Sequence, residues 1–444
     1  MAKKIVILGG GESGYGSAVL AHTKGFDTFL SDAGTIAEKY RLALESEGIE
    51  YEQGGHSEER ILCADLVVKS PGIPDKAPIV KALREKGVPV VSEIEFARPF
   101  SKGRTLCITG SNGKTTTTTL THRILAEAGW DVAVGGNIGE SYALSVARND
   151  KEWYVLELSS FQLDGCVDFV ADIAVLMNIT PDHLDRYNYV FQNYVDSKMR
   201  IIRGHTSANH FIYCGDDATI RAEVEKLNPL SQQFPFGKAN IEGTTATVEL
   251  EGKKIDIDLG RLRIKGLHNA YNAMAAALAA LAAGVSTEQI ERTLYAFEGV
   301  EHRLERVAEI GGVEWINDSK ATNVDSVWYA LESMTRPTVW IAGGTDKGND
   351  YEPLKDFVGR KVKTLVCMGV NNEKLLEEFR GIVPTYNTSS LDECVKVCAQ
   401  VATSGDAVLL SPACASFDLF KNYEQRGTLF KQKVLELQDN NENK

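Results

Sequence analysis

At 444 residues, 43% hydrophobic and 25% charged, the chain has the composition of a soluble globular protein, and its length implies about three domains of roughly 150 residues. Its net charge of −13 excludes non-specific binding to nucleic acid or anionic membrane, so a phosphate ligand must be held by local amides, lysines and Mg2+. No apolar run approaches the ~18 residues of a membrane span, the N-terminal apolar stretch is too short for a secretory signal, and eight cysteines without a Cys-x-x-Cys pair read as reduced thiols of a cytoplasmic protein.

Lys3–Leu8 reads as a strand opening on Gly9-Gly10-Gly11-Glu12-Ser13-Gly14. A helix and a second strand, Asp27–Leu30, follow, ending at Asp32. This is the dinucleotide-fold fingerprint, and it implies a phosphate-bearing ligand over the first turn with Asp32 near a ribose or base edge. A glycine turn made only for packing is the alternative. Strand Ala64–Lys69 ends at Ser70-Pro71-Gly72, and Val88–Val91 is another strand. The expected boundary is the polar stretch 99–104.

The next strand, Thr105–Thr109, runs into Gly110-Ser111-Asn112-Gly113-Lys114-Thr115-Thr116. A glycine turn between strand and helix points backbone N–H groups and the positive helix end at one place, which suits a polyphosphate. Lys114 would reach the terminal phosphates and the Thr115 hydroxyl a Mg2+ ion. The usual P-loop has four residues between its glycines, whereas Gly110 and Gly113 are separated by two, so an ordinary strand–turn–helix joint stays open on this loop alone. Strands Asp131–Val134, Trp153–Leu158 and Ile173–Asn178 alternate with helices, the pattern of a mostly parallel sheet. Glu157 could take Mg2+; His183, in a charged loop, could ligate a metal or move a proton. Lys198, in a helix over Val190–Ile202, reads as a surface lysine. Residues 241–264 alternate with period two, an antiparallel appendage. Asn269 and Asn272 share a face at the start of the Ala-rich helix Ala270–Ala283, where capping by Asn269 and ligand contact are both open.

Beyond Glu301-His302-Arg303, strands are expected at Val313–Ile316, Thr338–Ile341, Thr364–Met368 and Ala407–Leu410, and a disordered tail over Asp439–Lys444. Three of these strands end in polar turns, Asn317–Asn323, Gly343–Gly348 and Ser411–Asp418, a rim suited to a small anionic substrate.

Together these strings resemble the Mur ligases, ATP-dependent amino-acid ligases of peptidoglycan synthesis that share a core with folylpolyglutamate synthase. The shortened loop Gly110–Thr115, Glu157–Gln162, Asp182–Arg186, His268-Asn269-x-x-Asn272 and Glu301-His302-Arg303 are similar to that family's motifs, and Asn317–Asn323 and Ser411–Gly427 to those of its D-glutamate-adding members. The resemblance implies an α/β fold of three domains. These are a Rossmann-like domain over 1–98 for a UDP-sugar, a P-loop ATPase-like parallel-sheet domain over 99–298, and a Rossmann-like amino-acid domain over 299–444. It implies ATP, Mg2+ (with two sites open) and carbamylated Lys198 as cofactors, and UDP-N-acetylmuramoyl-L-alanine and D-glutamate as partners of a monomer.

By the same resemblance, Gly11, Glu12, Ser13, Gly14, Asp32, Ser70, Pro71, Gly72 and Asn137 would hold the UDP-sugar, which displaces a nicotinamide cofactor from the first turn. Gly110, Ser111, Asn112, Gly113, Lys114, Thr115, Thr116, Asn269, Asn272, Arg303 and Asp318 would bind ATP. Thr115, Glu157, His183 and carbamylated Lys198 would serve metal, with Lys114, His183, Lys198 and Arg303 catalytic. Lys320, Thr322, Lys347, Ser416, Phe417 and Tyr423 would surround D-glutamate; Tyr423 departs from the phenylalanine associated with that position. Competing readings are an NAD-dependent oxidoreductase, a nucleotide sensor without chemistry, and a sister ligase for another amino acid.

Overall fold

β-branched and aliphatic runs that bury both faces set the layout, because only a sheet covered on both sides tolerates them. The computed structural model describes residues 2–346 and 348–442. The chain folds as two compact units, Met1–Leu262 with Ala270–Ala296, and Arg263–Asn269 with Phe297–Lys444.

The first unit opens with strands β1 (Lys4–Leu8), β2 (Asp27–Asp32), β3 (Glu50–Gln53), β4 (Leu66–Lys69) and β5 (Val90–Val91), paired in parallel in the order β3-β2-β1-β4-β5. The order reverses between β1 and β4, and ligands of such sheets gather beyond the carboxyl ends at the reversal. A second parallel sheet follows from β6 (Arg104–Thr109), β7 (Val132–Gly136), β8 (Trp153–Glu157), β9 (Ile173–Leu176), β10 (His210–Cys214) and β11 (Gln232–Phe236), in the order β11-β10-β9-β6-β8-β7. The appendage is β12 (Ile241–Glu242), β13 (Thr245–Leu250) and β14 (Lys253–Asp258), antiparallel as its alternation implies. Helix Glu12–Thr23 joins the first two sheets by packing on helix Tyr142–Asn149. Their approach is close: a Cβ on Gly16 would lie 1.9 Å from Ser141 Oγ.

The second unit is a mixed sheet of β15 (Glu305–Ile310), β16 (Val313–Asn317), β17 (Thr338–Ala342), β18 (Val362–Met368), β19 (Thr385–Thr388) and β20 (Ala407–Leu410), in the order β15-β16-β20-β17-β18-β19. Only β15 is antiparallel to its neighbour. The two parallel sheets and the mixed sheet, with the small antiparallel appendage beside the second, are the three-domain α/β architecture expected.

Several expectations need correction. Lys198 is not a surface side chain but 2% exposed. Its helix ends at Met199 and continues as a 3-10 turn over Arg200–Ile202. The Ala-rich helix starts at Leu267, so Asn269 lies inside its first turn, where Nδ2 donates to Lys265 O (2.8 Å) rather than capping the end. The tail is helical as far as Glu442; Asn443 and Lys444 lie outside the described residues. All eight cysteines are free thiols, with Cys63 exposed and the others buried.

Candidate active site

After β6 the backbone turns through Gly110 (φ +152°) and Gly113 (φ +84°) into helix Lys114–Glu127. A Cβ on Gly110 would lie 2.8 Å from Met177 Cβ, and one on Gly113 2.6 Å from Asn272 Oδ1, so both sites exclude a side chain by space and by conformation. Asn178, beyond the end of β9, clamps the loop. Its carbonyl accepts from Ser111 N (2.9 Å), its Oδ1 accepts from Asn112 N (2.7 Å), and its Nδ2 donates to Asn112 O (3.0 Å). Ser111 Oγ donates to Thr180 O (2.9 Å) and pairs with Tyr194 OH (3.0 Å). Thr115 and Thr116 are buried at the helix start, and Thr117 Oγ1 donates to Asn272 Oδ1 (3.2 Å), which ties in one of the two asparagines. Asn178 ends an apolar stretch in the sequence and could have been singled out there; Tyr194 carries no such signal.

Two lysines converge on one carbonyl. Lys114 Nζ and Lys198 Nζ each donate to Gly110 O at 2.7 Å, and Lys114 also reaches Ser111 O at 2.9 Å. Lys198 lies over the Tyr194 ring at 4.7 Å. Burial, and next the like charge of Lys114, push its amine well below the ordinary lysine range, against the pull of Asp182, Glu157 and Asp164. Glu157 is 1% exposed, and its Oε1 accepts from Asn137 Nδ2 (2.7 Å). The structure thus brings Lys114, Thr115, Asn137, Glu157 and Lys198 to the carboxyl ends of β6 and β8. His183 stands on the loop after β9 with its backbone in left-handed conformation (φ +52°) and its side chain 44% exposed, edge-on to Phe161 at 5.1 Å.

At the reversal of the first sheet, Asp32 spends both carboxylate oxygens on the turn. Oδ2 accepts from Gly10 N (2.6 Å) and Oδ1 from Gly34 N (2.7 Å). Each oxygen keeps a further lone pair, so holding these backbone groups is compatible with the expected ribose or base contact. A Cβ on Gly14 would lie 1.8 Å from Gly9 O, and Gly11 precedes the helix in extended conformation. Ser13 Oγ meets Ser70 Oγ at 3.5 Å, joining the Gly9–Gly14 turn to Ser70-Pro71-Gly72. Glu12 accepts from Tyr40 OH (2.5 Å) and Ser141 N (3.3 Å). Next to it, Glu93 is buried; it accepts from Ser141 Oγ (2.5 Å) and Ala143 N (3.0 Å), and desolvation raises it to about 7.

In the second unit β16, β20 and β17 are adjacent, so the turns at their ends form one rim. Buried Arg426 stitches two of them, with Nε on Ser319 Oγ (3.0 Å), Nη2 on Ser319 O (2.8 Å) and Nη1 on Cys414 O (3.3 Å). The third joins through Thr345 N on Ala415 O (2.8 Å). Asp318 accepts from Ser411 Oγ (2.8 Å) and Leu304 N (3.2 Å), and burial raises it to about 7 against the opposing pull of Ser411 and Arg303. Lys320 Nζ lies 5.4 Å over the Tyr423 ring. Ser416 is buried, Thr322 half-buried and Phe417 70% exposed. Lys347 lies outside the described residues. Arg426 was legible as part of the Ser411–Gly427 string, but not its structural task.

Comparison with known proteins follows the same division. Residues 3–92 match the family described as Mur ligase MurD-like, N-terminal domain; 108–280 match Mur ligase middle domain; 302–414 match Mur ligase, glutamate ligase domain. The chain is 51% identical over 443 residues to the UDP-N-acetylmuramoylalanine--D-glutamate ligase of Bacteroides fragilis, covering 98% of this chain and 100% of that one. It is 41% identical over 461 residues to the ligase of the same name from Chloroherpeton thalassium, covering 98% of each. Among solved structures, a pseudomurein peptide ligase type C from Methanothermus fervidus shares the fold (TM-score 0.62, 19% identity, 98% of this chain and 100% of that one). So does a MurF ligase from Thermotoga maritima in complex with ADP (TM-score 0.60, 16% identity, 92% and 95%). On its end-to-end similarity to curated relatives, the chain belongs to the Mur ligase family.

Proposed function

We propose that the chain joins D-glutamate to the L-alanyl carboxylate of UDP-N-acetylmuramoyl-L-alanine, consuming ATP and releasing ADP and phosphate, in cytoplasmic peptidoglycan precursor synthesis. The observation that carries this reading is the short phosphate loop with Lys114 and Lys198 on the Gly110 carbonyl, in a chain half identical to D-glutamate ligases throughout.

A carboxylate is a poor electrophile. It first attacks the γ-phosphate of ATP, forming an acyl phosphate and releasing ADP. The D-glutamate amine, having lost its extra proton, adds to the acyl carbon; the tetrahedral adduct collapses to the amide and expels phosphate. Most of the catalysis is positioning and charge neutralisation. Loop amides and Lys114 hold the phosphates, Arg303 and Asp318 serve the phosphates and ribose, and Asn269 and Asn272 the adenine side. Gly11, Glu12, Ser13, Gly14, Asp32, Ser70, Pro71, Gly72 and Asn137 hold the UDP-sugar. Lys320, Thr322, Lys347, Ser416, Phe417 and Tyr423 hold D-glutamate.

The buried Glu157 carboxylate and the Thr115 hydroxyl are hard oxygen donors that fit Mg2+, and His183 would add a softer nitrogen donor beside them. Held there, Mg2+ would supply charge screening between nucleotide and attacking carboxylate. Burial favours the neutral amine of Lys198, the form whose nitrogen adds to CO2 and loses a proton to give a carbamate, a further anionic ligand. Heavy oxygen in the L-alanyl carboxylate tests the route: it appears in released phosphate if an acyl phosphate forms, and its absence there contradicts the route.

A further inference from the structure

Arg186 closes the Asp182–Arg186 string in the loop after β9 and belongs to none of the ligand-binding, metal or catalytic sets named above. Its Nη2 donates to Pro71 O (3.2 Å) and its Nη1 to Gly72 O (3.4 Å). Lys69 Nζ donates to Ile73 O (2.7 Å). Three successive carbonyls of the Ser70–Ile73 turn are therefore held by two cations. In a planar trans peptide the C=O and the following N–H point in opposite directions, so anchoring Pro71 O aims Gly72 N–H away from Arg186. Ile73 N is already engaged with Ser70 O (3.1 Å).

The guanidinium is itself oriented. It lies 4.3 Å over the Phe161 ring, which also meets His183 edge-on and stacks with Tyr187 at 6.0 Å. Tyr187 OH is pinned to Asp164 Oδ2 (2.9 Å) and Ser197 Oγ (3.2 Å). His183, Asn188 and Tyr189 all hold left-handed backbone conformations (φ +52°, +55° and +57°), uncommon for such side chains and kept only where the surroundings impose them. A planar fork that stacks on a ring while bridging two carbonyls is a task for arginine, not lysine.

We propose that Arg186 is a positioning residue for the UDP-linked substrate, holding the Ser70–Ile73 turn from the neighbouring sheet's loop so that its backbone is preset for binding. This rests on the reading that the first sheet's turns bind that substrate. The test is steady-state kinetics and thermal melting of Arg186→Ala, Arg186→Lys, Phe161→Leu and Asp32→Ala.

Arg186→Ala raises KM for UDP-N-acetylmuramoyl-L-alanine about 10- to 100-fold, the scale of losing charged hydrogen bonds, with KM for ATP within about twofold. Arg186→Lys keeps most of that defect, and Phe161→Leu shows the same signature more weakly; these two decide the matter if the alanine variant does not fold. An unchanged KM in the Arg186 variants beside a raised one in Asp32→Ala overturns the inference and leaves the first-domain reading standing. An unchanged KM in both overturns that reading and the inference with it. A lowered Tm with kcat and both KM values moving together makes Arg186 merely structural and overturns the inference.

Discussion

Lys198 and Lys114 share an acceptor, Gly110 O, but differ in what burial does to them. Lys198 is driven toward its neutral form, whereas Lys114 sits half-buried at the mouth of the loop. Replacing Lys114 by alanine removes a preorganised positive charge, and turnover falls at least about 10²-fold while the melting temperature holds; near-normal turnover would mean the loop does not hold the γ-phosphate. If Lys198 carries the proposed carbamate, the intact mass at neutral pH in bicarbonate is expected to exceed the calculated one by one CO2, with the excess lost on acidification and absent from Lys198→Ala; no excess in the parent chain contradicts the carbamate. The lysine motif was legible in the sequence because glycine, lysine and threonine spacing is local. The burial of Lys198 was not, since it depends on the Gly110 carbonyl, 88 residues away in the chain, which only the fold brings to it.

At the scale of elements, the glycine turns are where small changes cost most. Gly14→Ala would force a Cβ to 1.8 Å from Gly9 O, and the backbone cannot yield without breaking the turn that Asp32 holds. A loss of at least about 2 kcal/mol in denaturant unfolding is expected, together with weaker binding of the UDP-linked substrate; a variant as stable as the parent contradicts the packing described. Most buried strands could be read from their apolar runs, with interior β10 missed, and so could the edges β5 and β7. The edge strands β3, β11 and β19 could not: β3 (EYEQ) and β19 (TYNT) are largely exposed and carry no apolar alternation, and β11 contains a proline that only an edge tolerates. Asp32 was singled out by its spacing after the first glycine turn, yet spacing is silent on the bonds its oxygens accept from Gly10 and Gly34.

For the molecule as a whole, two buried acids predict how stability follows pH. Glu93 and Asp318 hold their protons up to about 7 in the folded chain, whereas the unfolded chain releases them near pH 4. Between those values the folded state binds more protons at these two sites, so their contribution to stability falls as pH rises from about 4 to about 7, opposed by His205 and His268, which burial lowers to about 4. Glu93→Gln removes its share and flattens the slope of unfolding midpoint against pH over that window; an unchanged slope contradicts the assignment for Glu93. The order of adjacent strands β16, β20 and β17 also places at whole-molecule scale what the sequence held as separate polar turns.

The central claim is tested most directly by phosphate release from MgATP in the presence of UDP-N-acetylmuramoyl-L-alanine, with and without an amino acid. The account predicts release that requires D-glutamate and fails with L-glutamate or meso-diaminopimelate. Release with a different amino acid, or none although ATP binds, would contradict it.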